Sequence, residues 1–362
     1  MDAIGIERGD DEPRLLEVPR PELGAEEALV RTLQVGVDGT DHEVVAGNHG
    51  APPAGADYHV LGHEAVGVVE DPNGTRFSAG DVVAPTVRRP PADGTNEYFE
   101  RGEADMAPPE ATLERGIDGA HGFMSEYFTS PAEFLVSVPP EFAESGFLLE
   151  PISISEKALE LAFASRSSVE WTPESALVLG NGPLGLVTVA MLARELEVYC
   201  LGRRDRPDPT IDLIEELGAT YVDSRETSVD EVGAVHEPMD LIYEATGYAK
   251  HAFQSIDALA PNGVAALLGL PEDWTFEVDG GHLHTELVMH NKAVVGSVNS
   301  NRRHFEAAAE TLAGLPEWFR DELVTTVAPL PDLGSAFADL DGLEGGTADE
   351  RTIKAAVKLG EI

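Results

Sequence analysis

Apolar residues follow two patterns along this chain, and the pattern changes near residue 150. Before it, the runs EALVRTLQVGV (27–37), HEAVGVVEDPNG (63–74) and GDVVAPTV (80–87) are bounded by Gly, Pro and Asp. Such runs read as β-strands joined by turns. Residues 85–122 break the pattern: they are polar and irregular, with many Pro and Gly, and predict a long surface lobe.

Past Glu150, ISISEKALELAFA (152–164) has helical spacing. SALVLG (175–180), EVYCLGRR (197–204), TYVDS (220–224), MDLIYEATG (239–247), NGVAALLGL (262–270) and KAVVGSVNS (292–300) predict strands. NGPLGLVTVAMLAREL (181–196), IDLIEELG (211–218), KHAFQSIDALA (250–260) and NRRHFEAAAETLAGL (301–315) predict helices. Alternating strands and helices argue for an α/β fold with a doubly wound parallel sheet. The last 60 or so residues are expected to rejoin the first domain. The expected division is therefore 1–151 with 301–362 in one domain and 152–300 in the other. No internal repeat is visible.

Charge narrows the function classes. The chain carries 66 acidic residues against 24 basic ones, a net charge of −42. The acids recur in RGDDEPRLLE, GEADMAPPEATLE, DLIEELGATYVDSRETSVDE and FADLDGLEGGTADE, and lysine appears only at 157, 250, 292, 354 and 358. Such a surface disfavours nucleic acid and anionic membranes as partners. It suits molar salt, where the screening length falls to about 3 Å and neighbouring carboxylates coexist. A halophilic protein that loses structure in dilute buffer is the expectation. No run reaches the roughly 20 apolar residues of a membrane span, and MDAIGIERGDDEP lacks the apolar run of a signal peptide. One cysteine, Cys200, excludes an internal disulfide and fits a reducing, cytoplasmic setting. Its strand context, VYCLG, marks it as core filler.

Gly180-Asn181-Gly182-Pro183-Leu184-Gly185 matches G-x-G-x-x-G between a predicted strand and a predicted helix. In that context the glycines allow a tight turn and close approach of a dinucleotide pyrophosphate to the helix N-terminus. The next strand ends LGRRDRPD. Where an NAD site would usually offer an acid, Arg203 and Arg204 follow Gly202, with Arg206 near. Guanidinium forks suit a 2′-phosphate, so NADP is expected, with Asp205 leaving room for NAD. The competing reading has these arginines paired with Asp205 and Asp208.

Longer motifs carry a family resemblance. VGVDGTD (35–41) resembles G-[IV]-C-G-[TS]-D, GHEAVGVV (62–69) resembles G-H-E-x-x-G, and FSAGDVVAP and LLEP resemble the segments that accompany them. Along nearly its whole length the chain resembles the medium-chain dehydrogenases of the zinc alcohol dehydrogenase superfamily. VRRPPADGTNEYFERG, GIDGAHGFMSEYF, EPISISEKALE and LGRRDRPDPTID bring it nearer the archaeal glucose dehydrogenases, particularly those of halophiles. The resemblance implies a β-rich GroES-like catalytic domain and a Rossmann dinucleotide-binding domain.

It also implies a Zn²⁺ site of Asp38, His63 and Glu150, with Asp38 at the family's cysteine position and Glu64 as an alternating or water-mediated ligand. Zinc accepts such donors, though a carboxylate for a thiolate hardens the set and admits Mn²⁺ or Mg²⁺. Relatives that lost their metal usually lost the His-Glu pair too, and His63-Glu64 is intact here. The structural zinc of the family needs four cysteines in the lobe, and residues 85–122 hold none. The implied reaction is oxidation of C1 of a pyranose aldose, glucose foremost, to the lactone. The alternative is a polyol or secondary-alcohol dehydrogenase. Thr40 is the implied proton contact, with His42 or Glu64 as onward acceptors. Thr40, Glu114, Glu150 and Asn299 are implied at the substrate. Thr246 and Asn299 are implied at the cofactor. A homo-oligomer, dimer or tetramer, goes with the resemblance.

Overall fold

The structure is a computed structural model and describes residues 1–91, 94–330, 337 and 352–361. The acidic run expected at 338–350 lies outside the described residues. The chain forms two compact units, Met1–Ser153 with Asn299–Ile362, and Ile154–Val298.

The second unit is built on six parallel strands, numbered here within the unit: β1 (Ser175–Leu179), β2 (Glu197–Gly202), β3 (Thr220–Asp223), β4 (Met239–Glu244), β5 (Leu259–Leu267) and β6 (Ala293–Gly296). Their order across the sheet is β3-β2-β1-β4-β5-β6, and every pairing is parallel. This is the strand order of dinucleotide-binding folds, whose switch point lies between β1 and β4. All five residues of β1 are buried, as a strand covered on both faces requires. The helix Pro183–Leu192 is apolar nearly all round, with seven buried residues. Cys200 lies in this core, and burial pushes its thiol up, away from reactivity.

The first unit is β-rich. Its main sheet runs Leu135–Ser137, Val82–Pro85, Glu64–Asp71, Glu27–Val37, Lys354–Lys358, Val324–Pro329, with Tyr127–Pro131 also paired to Glu27–Val37. The C-terminal strand thus lies antiparallel against Glu27–Val37, Ala355 opposite Val37. A smaller sheet orders Arg14–Glu17, Asp2–Glu7 and Tyr58–Val60.

The lobe expected to be irregular holds short elements instead. Arg88–Arg89, Leu113–Arg115 and Gly119–Ala120 make a third sheet, with a helix at Glu97–Glu100. Two- and three-residue strands leave no periodicity to read, which is why the pattern looked formless. Arginines bind the lobe: Arg88 and Arg89 are buried and donate to main-chain carbonyls. Among the described residues no helix is long and apolar enough to cross a membrane.

Candidate active site

In the first unit, Val37 ends a buried strand and Asp38 opens the short helix Gly39–Val45. Asp38 is that helix's N-cap. Its Oδ1 accepts the Asp41 N–H at 3.1 Å, and the Asp38 N–H donates back to Asp41 Oδ2 at 3.1 Å. This reciprocal capping box satisfies two otherwise orphaned donors. The other Asp38 oxygen is left for other work: Thr40 Oγ1 donates to Oδ2 at 3.3 Å, and His63 Nε2 lies 3.6 Å from it.

His63 and Glu64 follow Gly62, whose φ of +86° belongs to the left-handed region, so the turn needs glycine. Glu150 sits in the first turn of the helix Leu149–Ala164. The ligand atoms of His63, Glu64 and Glu150 lie within 4.8 Å of one another, as do those of Asp38, Asp41 and His63. The four residues expected at a metal are therefore brought together, joined by Asp41. Glu64, His63 and Glu150 are buried, while the Asp38 side chain stays 27% exposed. The cluster opens to solvent on the side of Asp38 and half-buried Thr40.

Two residues with no role assigned from the sequence complete it, Asp41 at the end of the VGVDGTD motif and Lys354. Asp41 is fully buried, accepts the Gly62 N–H at 3.1 Å and faces His63 Nδ1 at 3.8 Å. Lys354, also buried, reaches in from the C-terminal strand. Its Nζ donates to Val37 O at 3.0 Å and lies 2.5 Å from Glu64 Oε2, an ion pair without hydrogen-bond alignment.

Electrostatics show what the cluster lacks. Four carboxylates face one lysine and one imidazole. At an effective dielectric near 20, two carboxylates about 4 Å apart repel by roughly 4 kcal/mol. Burial pushes Glu150 up to about 8, and the charges of Glu64 and Asp38 add to it against the pull of His63 and Lys354. Burial also raises Glu64. Although burial opposes it, Asp38 and Asp41 hold His63 well above the usual imidazole range. Burial likewise opposes Asp38, yet His63, Lys354 and the Asp41 N–H keep it well below the usual carboxylate range. Carboxylates crowded together in a buried cluster, with Glu150 and Glu64 both raised, suit a divalent cation. The residues fit the metal.

His42 is half-buried, tilted against Phe337 with ring centroids 5.8 Å apart, and its Nε2 has no partner. Glu114 and Asn299, far apart in sequence, meet: Asn299 Nδ2 donates to Glu114 Oε1 at 3.2 Å.

In the second unit the three glycines do three different jobs. Gly180 has φ +111°. A Cβ on Gly182 would meet nothing within 4 Å, so this exposed position leaves the helix start open. A Cβ on Gly185 would fall 1.9 Å from Gly180 O, so close packing of helix on strand requires glycine there. Pro183 begins the helix, where its missing N–H costs nothing, and Leu184 follows in the first turn. The Asn181 side chain is turned inward, Nδ2 donating to Thr210 Oγ1 at 2.6 Å. Thr246 is similarly tied into its own turn, its N–H donating to Glu244 Oε1 at 2.7 Å and its Oγ1 in contact with His251 Nδ1 at 2.8 Å.

The arginine cluster beyond β2 divides. Arg206 pairs with Glu215, and Arg225, which the motif did not include, pairs with Asp205 and Asp223. Asp208 caps the helix Pro209–Glu216. Among the described residues Arg203, Arg204 and Arg206 form no ion pair with Asp205. The side chains of Arg203 and Arg204 make no hydrogen bond or ion pair among the described residues, one exposed and one half-exposed past the end of β2.

The alcohol dehydrogenase GroES-like domain family matches residues 24–140, and the glucose dehydrogenase C-terminus family matches residues 143–359. The chain is 62% identical over 366 residues to the glucose 1-dehydrogenase of Haloferax mediterranei, covering 100% of both. It is also 62% identical over 367 residues to glucose 1-dehydrogenase 1 of Haloterrigena turkmenica, again covering 100% of both. A solved structure of Haloferax mediterranei glucose dehydrogenase in complex with NADP, Zn and gluconolactone is similar at a TM-score of 0.95 and 61% identity, covering 100% of each chain.

Proposed function

The chain belongs to the glucose dehydrogenase family of zinc alcohol dehydrogenase-like enzymes, and from that membership we propose that it is a zinc- and NADP-dependent glucose 1-dehydrogenase. The observation that carries the proposal is the cluster of Asp38, His63 and Glu150, whose buried charge calls for a divalent cation, in a chain that also holds a dinucleotide fingerprint. Asp38, His63 and Glu150 would hold the metal, with Glu64 a fourth donor. When bound, the metal would supply Lewis acidity at the C1 hydroxyl and the nicotinamide would accept the C1 hydride.

The chain's own residues do the rest. Asp41, facing His63 Nδ1, orients the imidazole so that Nε2 points toward Asp38. Thr40, at the exposed side of the cluster, receives the C1 hydroxyl proton and passes it on. His42 Nε2, buried and unpartnered, is the onward acceptor. Glu64 is the alternative acceptor, held back by Lys354. Glu114 and Asn299 present polar atoms to the remaining hydroxyls, and Glu150 also borders the substrate. Gly180 to Gly185 receive the pyrophosphate. The unengaged Arg203 and Arg204 receive the 2′-phosphate, which supports preference for NADP over NAD.

A homo-oligomer is part of the reading. β6 is an edge strand of the nucleotide unit, and Val288, Met289, Val294 and Val298 beside it are exposed. Such an apolar edge favours pairing with a second copy, as a dimer or within a tetramer. The cytoplasm is the compartment this reading assigns.

The test is NADP⁺ reduction with D-glucose in multimolar KCl, before and after chelation and with zinc restored, beside galactose, xylose, sorbitol and ethanol. Glucose-dependent NADPH formation that chelation abolishes and zinc restores is expected. Turnover of sorbitol or ethanol alone would replace it with the polyol or secondary-alcohol reading.

A further inference from the structure

The sugar-facing pair of Glu114 and Asn299 rests on Arg88. Arg88 is buried, its side chain 5% exposed against 16% for Glu114. Its Nε donates to Glu114 Oε1 at 2.8 Å. Its Nη1 donates to the carbonyls of Asp105 and Ala107, both at 2.9 Å, and more distantly to that of Ala104 at 3.3 Å. One guanidinium therefore fastens the lobe backbone at 104–107 and grips one oxygen of Glu114. That same oxygen takes the Asn299 amide at 3.2 Å. Asn299 is itself fixed, with φ +55° and its Oδ1 accepting the Ser300 N–H at 2.8 Å. The frame closes through Asn301, whose Nδ2 donates to Asp105 Oδ1 at 2.6 Å.

Two donors thus converge on Oε1, and Oε2 has no hydrogen-bond partner among the described residues. The turn that follows Glu114 packs backbone to backbone against the metal-ligand loop: a Cβ on Gly116 would lie 2.4 Å from the carbonyl oxygen of Gly62, the residue before His63. A purely structural ion pair would be expected to use both carboxylate oxygens, since Arg offers a two-pronged fork. Here the fork is split, one edge to the carboxylate and one to main-chain carbonyls.

We propose that Arg88 is a positioning residue for sugar recognition: it anchors Glu114 through Oε1, so that Oε2 stands preset as the acceptor for a ring hydroxyl of the substrate. The inference rests on the reading of this site as a sugar site. A carboxylate held this way needs no reordering when the substrate arrives, and a substrate lacking the matching hydroxyl leaves Oε2 a desolvated acceptor without a donor. Selectivity against deoxy sugars follows. The substrate class is a polyhydroxylated ring, and a simple alcohol gains nothing from Arg88.

The experiment is a double-mutant cycle on the zinc-loaded holoenzyme in multimolar KCl, with Arg88→Met, Arg88→Lys, Glu114→Gln and both pairings. Glucose turnover by the unaltered enzyme comes first, because its absence overturns the sugar reading itself and not the role of Arg88 within it. Arg88→Met is expected to raise the KM for glucose by about 10- to 100-fold, the loss from one hydrogen bond to a charged group. The KM for NADP⁺ and the zinc content should stay within about twofold. In the Glu114→Gln background the same substitution should cost little more. Arg88→Lys, which keeps a cation but not the fork, should fall between the two. Should Arg88→Met fail to fold, the Arg88→Lys cycle carries the same test. Equal, additive losses in both backgrounds, or a drop in kcat with KM for glucose unchanged, would overturn the proposal and leave Arg88 a fastener of the lobe.

Discussion

Asp38 has two duties in the structure, and two substitutions separate them. Its Oδ1 caps the helix Gly39–Val45, and its Oδ2 faces the ligand cluster. Asparagine caps as well as aspartate does, so Asp38→Asn keeps the bond to the Asp41 N–H and removes the charge. Asp38→Ala removes both. Each loses the attraction to His63, so the difference between them isolates the cap. A lost cap costs about 1 kcal/mol, or a melting shift of about 2–4 °C in a domain of some 150–250 residues. Metal-free Asp38→Ala should therefore melt that far below metal-free Asp38→Asn. Zinc affinity should divide differently. Losing even an outer partner of a metal site costs about 10- to 100-fold, so both variants should bind zinc at least about 100-fold more weakly than the native chain. Competition with a chromophoric chelator in multimolar KCl measures affinity, and calorimetry of the metal-depleted proteins measures the melt. Native zinc affinity in Asp38→Asn would refute Asp38 as a ligand, and identical metal-free melts would refute the cap.

The fingerprint glycines should respond unequally. Gly182→Ala, at φ −79° with open space at Cβ, should fold normally and lose NADP⁺ affinity, read by fluorescence titration. Gly185→Ala, whose Cβ would fall 1.9 Å from a carbonyl oxygen, should destabilise the protein by about 3 kcal/mol whether or not cofactor is present. Replacing Arg203 and Arg204 with serine should raise the KM for NADP⁺ by about 10- to 100-fold and leave that for NAD⁺ nearly unchanged; parallel losses with both cofactors would refute their role at the 2′-phosphate. With 66 acidic residues against 24 basic ones, the cooperative melt should fade as KCl drops from molar to dilute concentrations, and a melt indifferent to salt would refute the halophilic reading. Glu150, raised to about 8, and His63, also raised, lend stability when protonated; it is fully present below their unfolded-state values and is lost as pH climbs through the folded ones. Metal-depleted protein should thus unfold more readily in denaturant at pH 9 than at pH 6, and zinc should abolish the difference; the opposite order without metal would refute the charge arrangement.

Features that a short run of backbone decides are the ones legible in the residues alone. The fingerprint at 180–185 is legible because a tight turn, an open approach and a helix start are all made within six residues. The alternation of apolar runs with helices that predicts a parallel sheet is equally local, since an inner strand such as Ser175–Leu179 is buried along its whole length and reads as a nearly continuous apolar run. The net charge needs no structure at all. Asp38, His63 and Glu150 were legible only through motifs, because their spacing alone does not say that three separate segments converge.

How the charges at each site are balanced is a property of the folded chain. Lys354 reaches Glu64 because the C-terminal strand pairs with Glu27–Val37, a partnership no local pattern announces. Arg225, rather than a neighbour in the arginine motif, takes up Asp205, and the side chains of Arg203 and Arg204 keep no hydrogen bond or ion pair among the described residues. Arg88 and Glu114 face each other across a two-residue strand pairing, and Asn299 joins them from 185 residues away. A buried charge must find its counter-charge wherever the fold brings one. Desolvation sets that demand, and the long-range pairing of strands decides which residue meets it.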